Sequence, residues 1–209
     1  PTVTGATVTN TPITNTEAGN TQTVTVNFDE EMDTGINPTV QITGLPTTGP
    51  VGVTNPRWAD GTTFQADVSI PDNEEDATAT IDVSGARDTS NAGNQMDPDT
   101  SNTFIVDTED PTITTSYGGS VATGTVDLTS EFTFDGDGGS TTYEYSTDGG
   151  STYQSIGSPA SWDTTGLADG TTKIRVTDTD DVGNSVQKTV DVTVDNTAPS
   201  APTGVSASP

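Results

Sequence analysis

Val106-Asp-Thr-Glu-Asp-Pro111 returns later in the chain as Val194-Asp-Asn-Thr-Ala-Pro199. A second shared signature precedes each copy: Asp88-Thr-Ser-Asn-Ala-Gly-Asn94 before the first and Asp178-Thr-Asp-Asp-Val-Gly-Asn184 before the second. Self-similarity on this scale is the mark of stacked structural units, so Val106–Pro111 reads as the hinge between two of them. The units are expected to run 1–109 and 110–197, with 198–209 as a linker and the start of a further module. The opening Pro1-Thr-Val-Thr echoes Pro111-Thr-Ile-Thr, which predicts that this sequence is a piece of a longer series.

Outward from the hinge, the apolar residues recur with period two. Gln22-Thr-Val-Thr-Val-Asn-Phe28 places Val24, Val26 and Phe28 on one face, and Thr63–Ile70 and Ala77–Val83 alternate in the same way. This is the spacing of half-buried strands. Further strands are expected at Val3–Val8, Thr39–Thr43, Val51–Val53 and Thr103–Val106, with Trp58 as a core plug. The second unit repeats the scheme at Thr112–Ser116, Thr125–Phe134, Thr142–Ser146, Tyr153–Ile156, Ala160–Trp162, Thr172–Thr177 and Val186–Val194. Asp148-Gly-Gly150 and Asp169-Gly170 read as turns in which glycine takes positive φ. No window carries a helical period. The predicted class is all-β: tandem immunoglobulin-like antiparallel β-sandwiches of about seven strands each.

Only 28% of the 209 residues are hydrophobic, a composition that in a less regular sequence would suggest a disordered stalk. The regular alternation argues against disorder, because Thr, being β-branched, fills strand positions on a half-exposed sheet. There are 31 acidic residues against five Lys or Arg and no His, for a net charge of −26. A surface of that sign repels nucleic acid and anionic lipid and attracts cations. Bound divalent ions or high salt would relieve the self-repulsion, so a halophilic or marine setting is expected. The absence of Cys removes disulfides and thiolate metal sites. No apolar run reaches the roughly 20 residues needed to span a bilayer.

Three groups of residues carry a family resemblance. They are Val26-Asn-Phe-Asp-Glu-Glu-Met-Asp33 with Trp58 and Val83–Asn94 in the first unit; Tyr143–Gly150, Trp162–Gly170 and Asp181-Val-Gly-Asn184 in the second; and the tail Ala198-Pro-Ser-Ala-Pro-Thr-Gly-Val205. The first two groups resemble the bacterial immunoglobulin-like (Big or cadherin-like) repeat domains of surface-layer proteins and large extracellular adhesins. The tail is similar to the start of a fibronectin type III-like module. The resemblance implies a modular, extracellular, cell-surface protein whose partners are neighbouring immunoglobulin-like repeats of the same chain, and it implies no single ligand.

Strand order predicts where the acidic loops fall. In a seven-strand sandwich the loop between the last two strands shares an end with the N-terminus. The first-to-second and fifth-to-sixth loops share the other end with the C-terminus. Asp178, Asp180, Asp181 and Asn184 are therefore expected to face the hinge residues Asp107, Glu109 and Asp110, joined by Glu17 and the Pro71–Asp76 loop. Such closeness of like charges calls for a cation. Ca2+, which takes about six to eight oxygen ligands, is the predicted cofactor, and the resemblance to calcium-rigidified adhesin arrays points the same way. The alternative is that these Asp and Asn residues cap turns. A second candidate group is Asp88 and Asn94 with Glu30, Glu31 and Asp33. Asp135-Gly-Asp137-Gly reads as a hairpin turn, because it lacks the glutamate that an EF-hand needs twelve positions along.

Without His or Cys, Ser-His-Asp and Cys-His catalysis are excluded, and no enzyme is expected. The first unit holds no Lys and so no Lys-Asn isopeptide bond, and the sequence carries no Asn-X-Ser/Thr sequon. The expected function is that of a spacer in a secreted or cell-surface adhesin or filament protein, its hinge stiffened by calcium. One alternative is a glycan- or protein-binding module, with Trp162, Tyr117 and Tyr153 as stacking candidates, although core packing is the favoured use of all three. Another is a structural subunit of a pilus or surface layer that contacts other copies of itself.

Overall fold

A computed structural model of the chain describes residues 1–90, 93–135, 138–157 and 159–200. It divides into two compact units: Pro1–Asp110 with Val182–Asn184, and Pro111–Asp181 with Ser185–Pro209, the latter described as far as residue 200. Both are built of strands, as the alternation predicts.

The first unit is a sandwich of two four-stranded antiparallel sheets. In one, β1 (Val3–Val8), β2 (Gln22–Phe28), β6 (Thr63–Val68) and β5 (Thr54–Trp58) lie in the order β1-β2-β6-β5. In the other, β4 (Val51–Gly52), β3 (Thr39–Thr43), β7 (Asp76–Ser84) and β8 (Asp99–Asp107) lie in the order β4-β3-β7-β8. The inward rows are those read from the period-two pattern. Val24, Val26 and Phe28 from β2, Phe64, Ala66 and Val68 from β6, Val40 and Ile42 from β3, and Ala79, Ile81 and Val83 from β7 are all buried in one cluster. Trp58 is half-buried at the margin of this cluster, its ring centroid 5.7 Å from Phe28 and 5.4 Å from Phe64. It sits in a strand that the sequence did not signal, because Pro56 and a register shift between Thr54 and Arg57 break the period there.

The second unit has a five-stranded sheet in the order β10-β17-β16-β13-β14: β10 (Val121–Ala122), β17 (Ser185–Val194), β16 (Gly170–Thr179), β13 (Ser140–Ser146) and β14 (Gln154–Ser155). Two antiparallel strand pairs accompany it: β9 (Ile113–Thr115) with β12 (Phe132–Phe134), and β11 (Thr125–Asp127) with β15 (Ser161–Asp163). The long strand expected over Thr125–Phe134 is thus interrupted by a 3-10 turn at Leu128–Ser130. Asp127 caps the turn by accepting from the Thr129 backbone N–H at 3.0 Å, and the turn sinks Leu128 fully into the core. Among the described residues the units have eight and nine strands, against the seven or so expected of each. The additional elements are short edge pieces such as Val121–Ala122.

The two units share a structural device. In the first, the chain leaves β1, which is antiparallel to β2, and Ile13 then bridges in parallel to Val106 on the last strand. In the second, β9 is antiparallel to β12 and β10 then pairs in parallel with the end of β17. The opening segment thus binds both layers and covers part of the last strand's open edge.

Each unit has its own buried cluster, the second centred on Trp162, Leu128, Ile174 and Val176. Phe64 is fully buried. Phe64→Ala is therefore expected to destabilise the first unit by about 3–5 kcal/mol, read as a fall in its denaturant midpoint at unchanged slope.

Candidate functional site

The hinge residues are held within the first unit by a network of amides. Asp107 N–H donates to the Ile13 carbonyl at 2.9 Å, continuing the parallel bridge, and the Asp107 carboxylate accepts from Glu109 N–H at 3.3 Å. Asn184, buried, directs its side-chain nitrogen at the Asp107 carbonyl (2.9 Å), the Asp107 carboxylate (3.4 Å) and the Glu109 carbonyl (3.4 Å). Its side-chain oxygen accepts from Asn15 N–H at 3.0 Å, and Asn15 Nδ2 donates to Asp110 at 2.6 Å. Four of the predicted residues, Asp107, Glu109, Asp110 and Asn184, thus come together. Two side-chain amides, those of Asn184 and Asn15, donate to their oxygens.

The other predicted residues are held by their own surroundings. Glu17 accepts from the backbone N–H and hydroxyl of Thr14, and these bonds, the hydroxyl's above all, lower its pKa. In the second unit Asp178 is buried and accepts from the Thr141 hydroxyl at 2.7 Å, and Asp180 is also buried. The backbone at Thr179 and Asp180 comes so close to Gly139 that a Cβ there would lie 1.8 Å from the Thr179 carbonyl, so only glycine fits. Asp181 is exposed.

In the other predicted group, Asp88 is buried and its carboxylate accepts four hydrogen bonds: from Ser90 N–H (3.1 Å), the Ser90 hydroxyl (2.5 Å), Asn94 N–H (2.9 Å) and Asn94 Nδ2 (2.8 Å). The Ser90 hydroxyl, followed by the Asn94 amide, brings its pKa down to about 2. Glu31 reaches this loop through its backbone carbonyl, which accepts from Thr89 N–H, while Asp33 N–H donates to the Arg87 carbonyl and the Asp33 carboxylate takes Gly35 N–H. Glu30 Oε1 lies 2.8 Å from the Pro1 nitrogen. The Asp135–Gly138 reading falls partly outside the described residues, since Gly136 and Asp137 are not among them.

Among the described residues no three carboxylates converge in a way that would hold a metal ion. What recurs is the pattern Asp-x-Ser/Thr, in which the carboxylate accepts from the backbone N–H two positions on. Asp60 with Thr62, Asp88 with Ser90, Asp99 with Ser101, Asp127 with Thr129, Asp163 with Thr165 and Asp195 with Thr197 all do this. Except at Asp195, the structure also records a bond from the hydroxyl to the same carboxylate. These are Asx turns reinforced by a side chain, and their signal is present in the sequence as spacing alone. Asp148 draws on more donors, namely Ser146, Ser151 and Thr152, and its pKa lies far below the ordinary range.

The aromatic candidates are used internally. Trp162 and Tyr117 are buried in the second core, and the Arg175 guanidinium lies 3.6 Å from the Tyr153 ring centroid while pairing with Glu144 at 2.6 Å. No helix among the described residues is long and apolar enough to cross a membrane.

No family model matches the chain, and no curated protein matches it. Among solved structures, the N-terminal part of the bacterial S-layer protein SbsC is 18% identical, with a TM-score of 0.35, covering 93% of this chain and 44% of that one. A Ca2+-stabilized adhesin by which an Antarctic bacterium binds ice is 21% identical, with a TM-score of 0.48, covering 93% and 50%. The fibronectin(III)-like modules of Clostridium thermocellum CbhA are 14% identical, with a TM-score of 0.34, covering 91% and 94%. This chain therefore spans half or less of the surface-layer and adhesin structures. Likeness of this extent carries no conclusion about what this chain binds.

The acid response of the Asp88 loop has a definite sign. Its folded pKa, about 2, lies below the unfolded value of about 3.9, so its contribution is fully present above pH 4 and is lost as pH falls through 2. Asp88→Asn should flatten the stability profile between about pH 4 and pH 2 relative to the wild type, measured by urea denaturation at each pH.

Proposed function

We propose that the chain forms spacer modules of a secreted or cell-surface protein, of adhesin or filament type, which hold a more distal region away from its anchor. The observation that carries this reading is that two consecutive sandwiches repeat one construction and each ends in the same Val-Asp hinge. At the first hinge, residues 107–110 are hydrogen-bonded into the unit before them. The donors and carboxylates singled out above are taken up in turns and strands, which favours a mechanical role over catalysis. Burial of Trp162 and Tyr117, and the arginine over Tyr153, weigh against glycan stacking.

Calcium at the first hinge is the finer part of the proposal. The Asp107 carbonyl, the Asp107 carboxylate and the Glu109 carbonyl are hard oxygen donors of the kind Ca2+ takes, and all three already point at one atom, the Asn184 side-chain nitrogen. A half-turn of that amide would substitute its oxygen and leave four oxygens around one point. Extracellular modules of this type bind in the range of about 10⁻⁴–10⁻³ M, and ion at ten to a hundred times Kd stabilises by roughly 1.4–2.7 kcal/mol. Calcium should thus raise the melting temperature by several degrees over the same protein in chelator at low salt, and Asp107→Asn should abolish the rise. Identical melting and identical small-angle scattering with and without calcium would remove calcium from the reading and leave the spacer role to be judged separately.

A further inference from the structure

Each unit also grips its own hinge through the loop before its penultimate strand. In the first unit this is the segment Asn73-Glu-Glu75 between β6 and β7. Glu75 is 1% exposed, and its carboxylate accepts from the backbone N–H groups of Thr47, at 3.0 Å, and Thr48. Consecutive amides converging on one point make an anion-binding nest, here filled by the protein's own carboxylate. The neighbouring Asn73 side chain donates to the Thr48 hydroxyl at 3.1 Å. Glu74 adopts φ +53°, a conformation that costs a non-glycine residue energy.

That turn brings the same segment onto the hinge. Glu75 N–H donates to the Thr108 hydroxyl at 3.0 Å, Thr108 N–H donates to the Glu75 carbonyl at 2.6 Å, and Asp110 N–H donates to the Glu74 carboxylate at 3.4 Å. Thr108 is fully buried, although it lies beyond the last strand.

The second unit does the same with different residues. Its loop between β15 and β16, which occupies the same place before the penultimate strand, supplies Asp169. That carboxylate accepts from Asn196 N–H at 2.6 Å and from the Thr197 hydroxyl, while Asn196 Nδ2 donates to the Thr164 carbonyl at 2.7 Å and the Leu167 carbonyl at 3.1 Å. Asn196 stands where Thr108 stands, two residues after the final Val of its unit. Two unlike side chains at one register position dock on equivalent loops.

We propose that the third residue of the Val-Asp-x hinge is a docking side chain, and that it and the loop before the penultimate strand form a latch welding the start of each hinge to the unit preceding it, without any ion. The inference deepens the spacer reading and rests on it for its meaning, since a latched hinge transmits orientation where a free one would not. Bending is then confined to the residues after the latch, and the latch holds whether or not calcium binds.

Amide hydrogen exchange, resolved to single residues and run in calcium and in chelator, tests this. In the wild type the N–H groups of Thr108 and Asn196 should be strongly protected in both conditions. Asp169→Ala, at an exposed loop position, should accelerate exchange at Asn196 at least tenfold and leave Thr108 unchanged. Glu75→Gln should accelerate Thr47, Thr48 and Thr108 at least tenfold and leave Asn196 unchanged. If Glu75→Gln does not fold, the Asp169→Ala arm decides alone. Wild-type exchange at Asn196 near the free-peptide rate, protection that disappears in chelator, or an Asp169→Ala rate within threefold of wild type would each overturn the latch. A failure of calcium to change melting leaves all these expectations standing.

Discussion

The constraint on which the rest of the structure depends is a shortage of cations. With 31 carboxylates and five Lys or Arg, ion pairing can neutralise only a small minority of the acids. Among the described residues the side-chain pairs are Arg57–Asp67, Lys173–Asp191 and Arg175–Glu144. Many of the other carboxylates accept instead from backbone N–H groups and from Thr, Ser and Asn side chains. A hydrogen bond to a charged group is stronger than a neutral one. The abundance of Thr therefore has two causes: it suits the outward face of a strand, and next to a turn it donates to the aspartate two residues before it.

This explains why carboxylates can be buried here without an ion pair. Glu75 is buried against a nest of amides, Asp88 against Ser90 and Asn94, and Asp178 against Thr141. Removing a donor from such a group would leave a desolvated charge, which costs far more than the bond itself contributes. The turns are accordingly closed by these bonds. The start of the hinge after each last strand is hydrogen-bonded by the same chemistry, Thr108 to Glu75 and Asn196 to Asp169.

Most of the strands were legible because period-two alternation survives wherever both layers are regular: Val24, Val26 and Phe28 face inward as their spacing requires. The pattern failed where a strand is defined by pairing alone. Thr54–Trp58 contains Pro56 and a bulge, and Val121–Ala122 is two residues long. It also failed at Leu128, whose apolar side chain looks like one more strand residue until Asp127 caps a 3-10 turn and turns it inward. The acidic constellation was legible as composition and only partly as geometry. Loop order groups Asp107, Glu109 and Asp110 with Asn184, Asp178, Asp180, Asp181 and Glu17, and hydrogen bonds tie Asp107, Glu109, Asp110 and Asn184 into one network. The importance of Glu75, Thr108 and Asp169 could not be read, since nothing in a single sequence distinguishes a buried glutamate in an acidic loop from its exposed neighbours. The spacing Asp-x-Ser/Thr was readable and is the signal that would have identified the carboxylates held by local turns.

The central claim is that hydroxyl and amide donors, rather than cations, hold these carboxylates in place. Carbon-13 NMR titration of the aspartate side-chain carboxyls in metal-free buffer measures this most directly. The account predicts that Asp60, Asp88, Asp148, Asp163 and Asp169 all titrate below the ordinary carboxylate value, Asp88 near 2. Titration of these five together near the ordinary value of about 3.9 would contradict it.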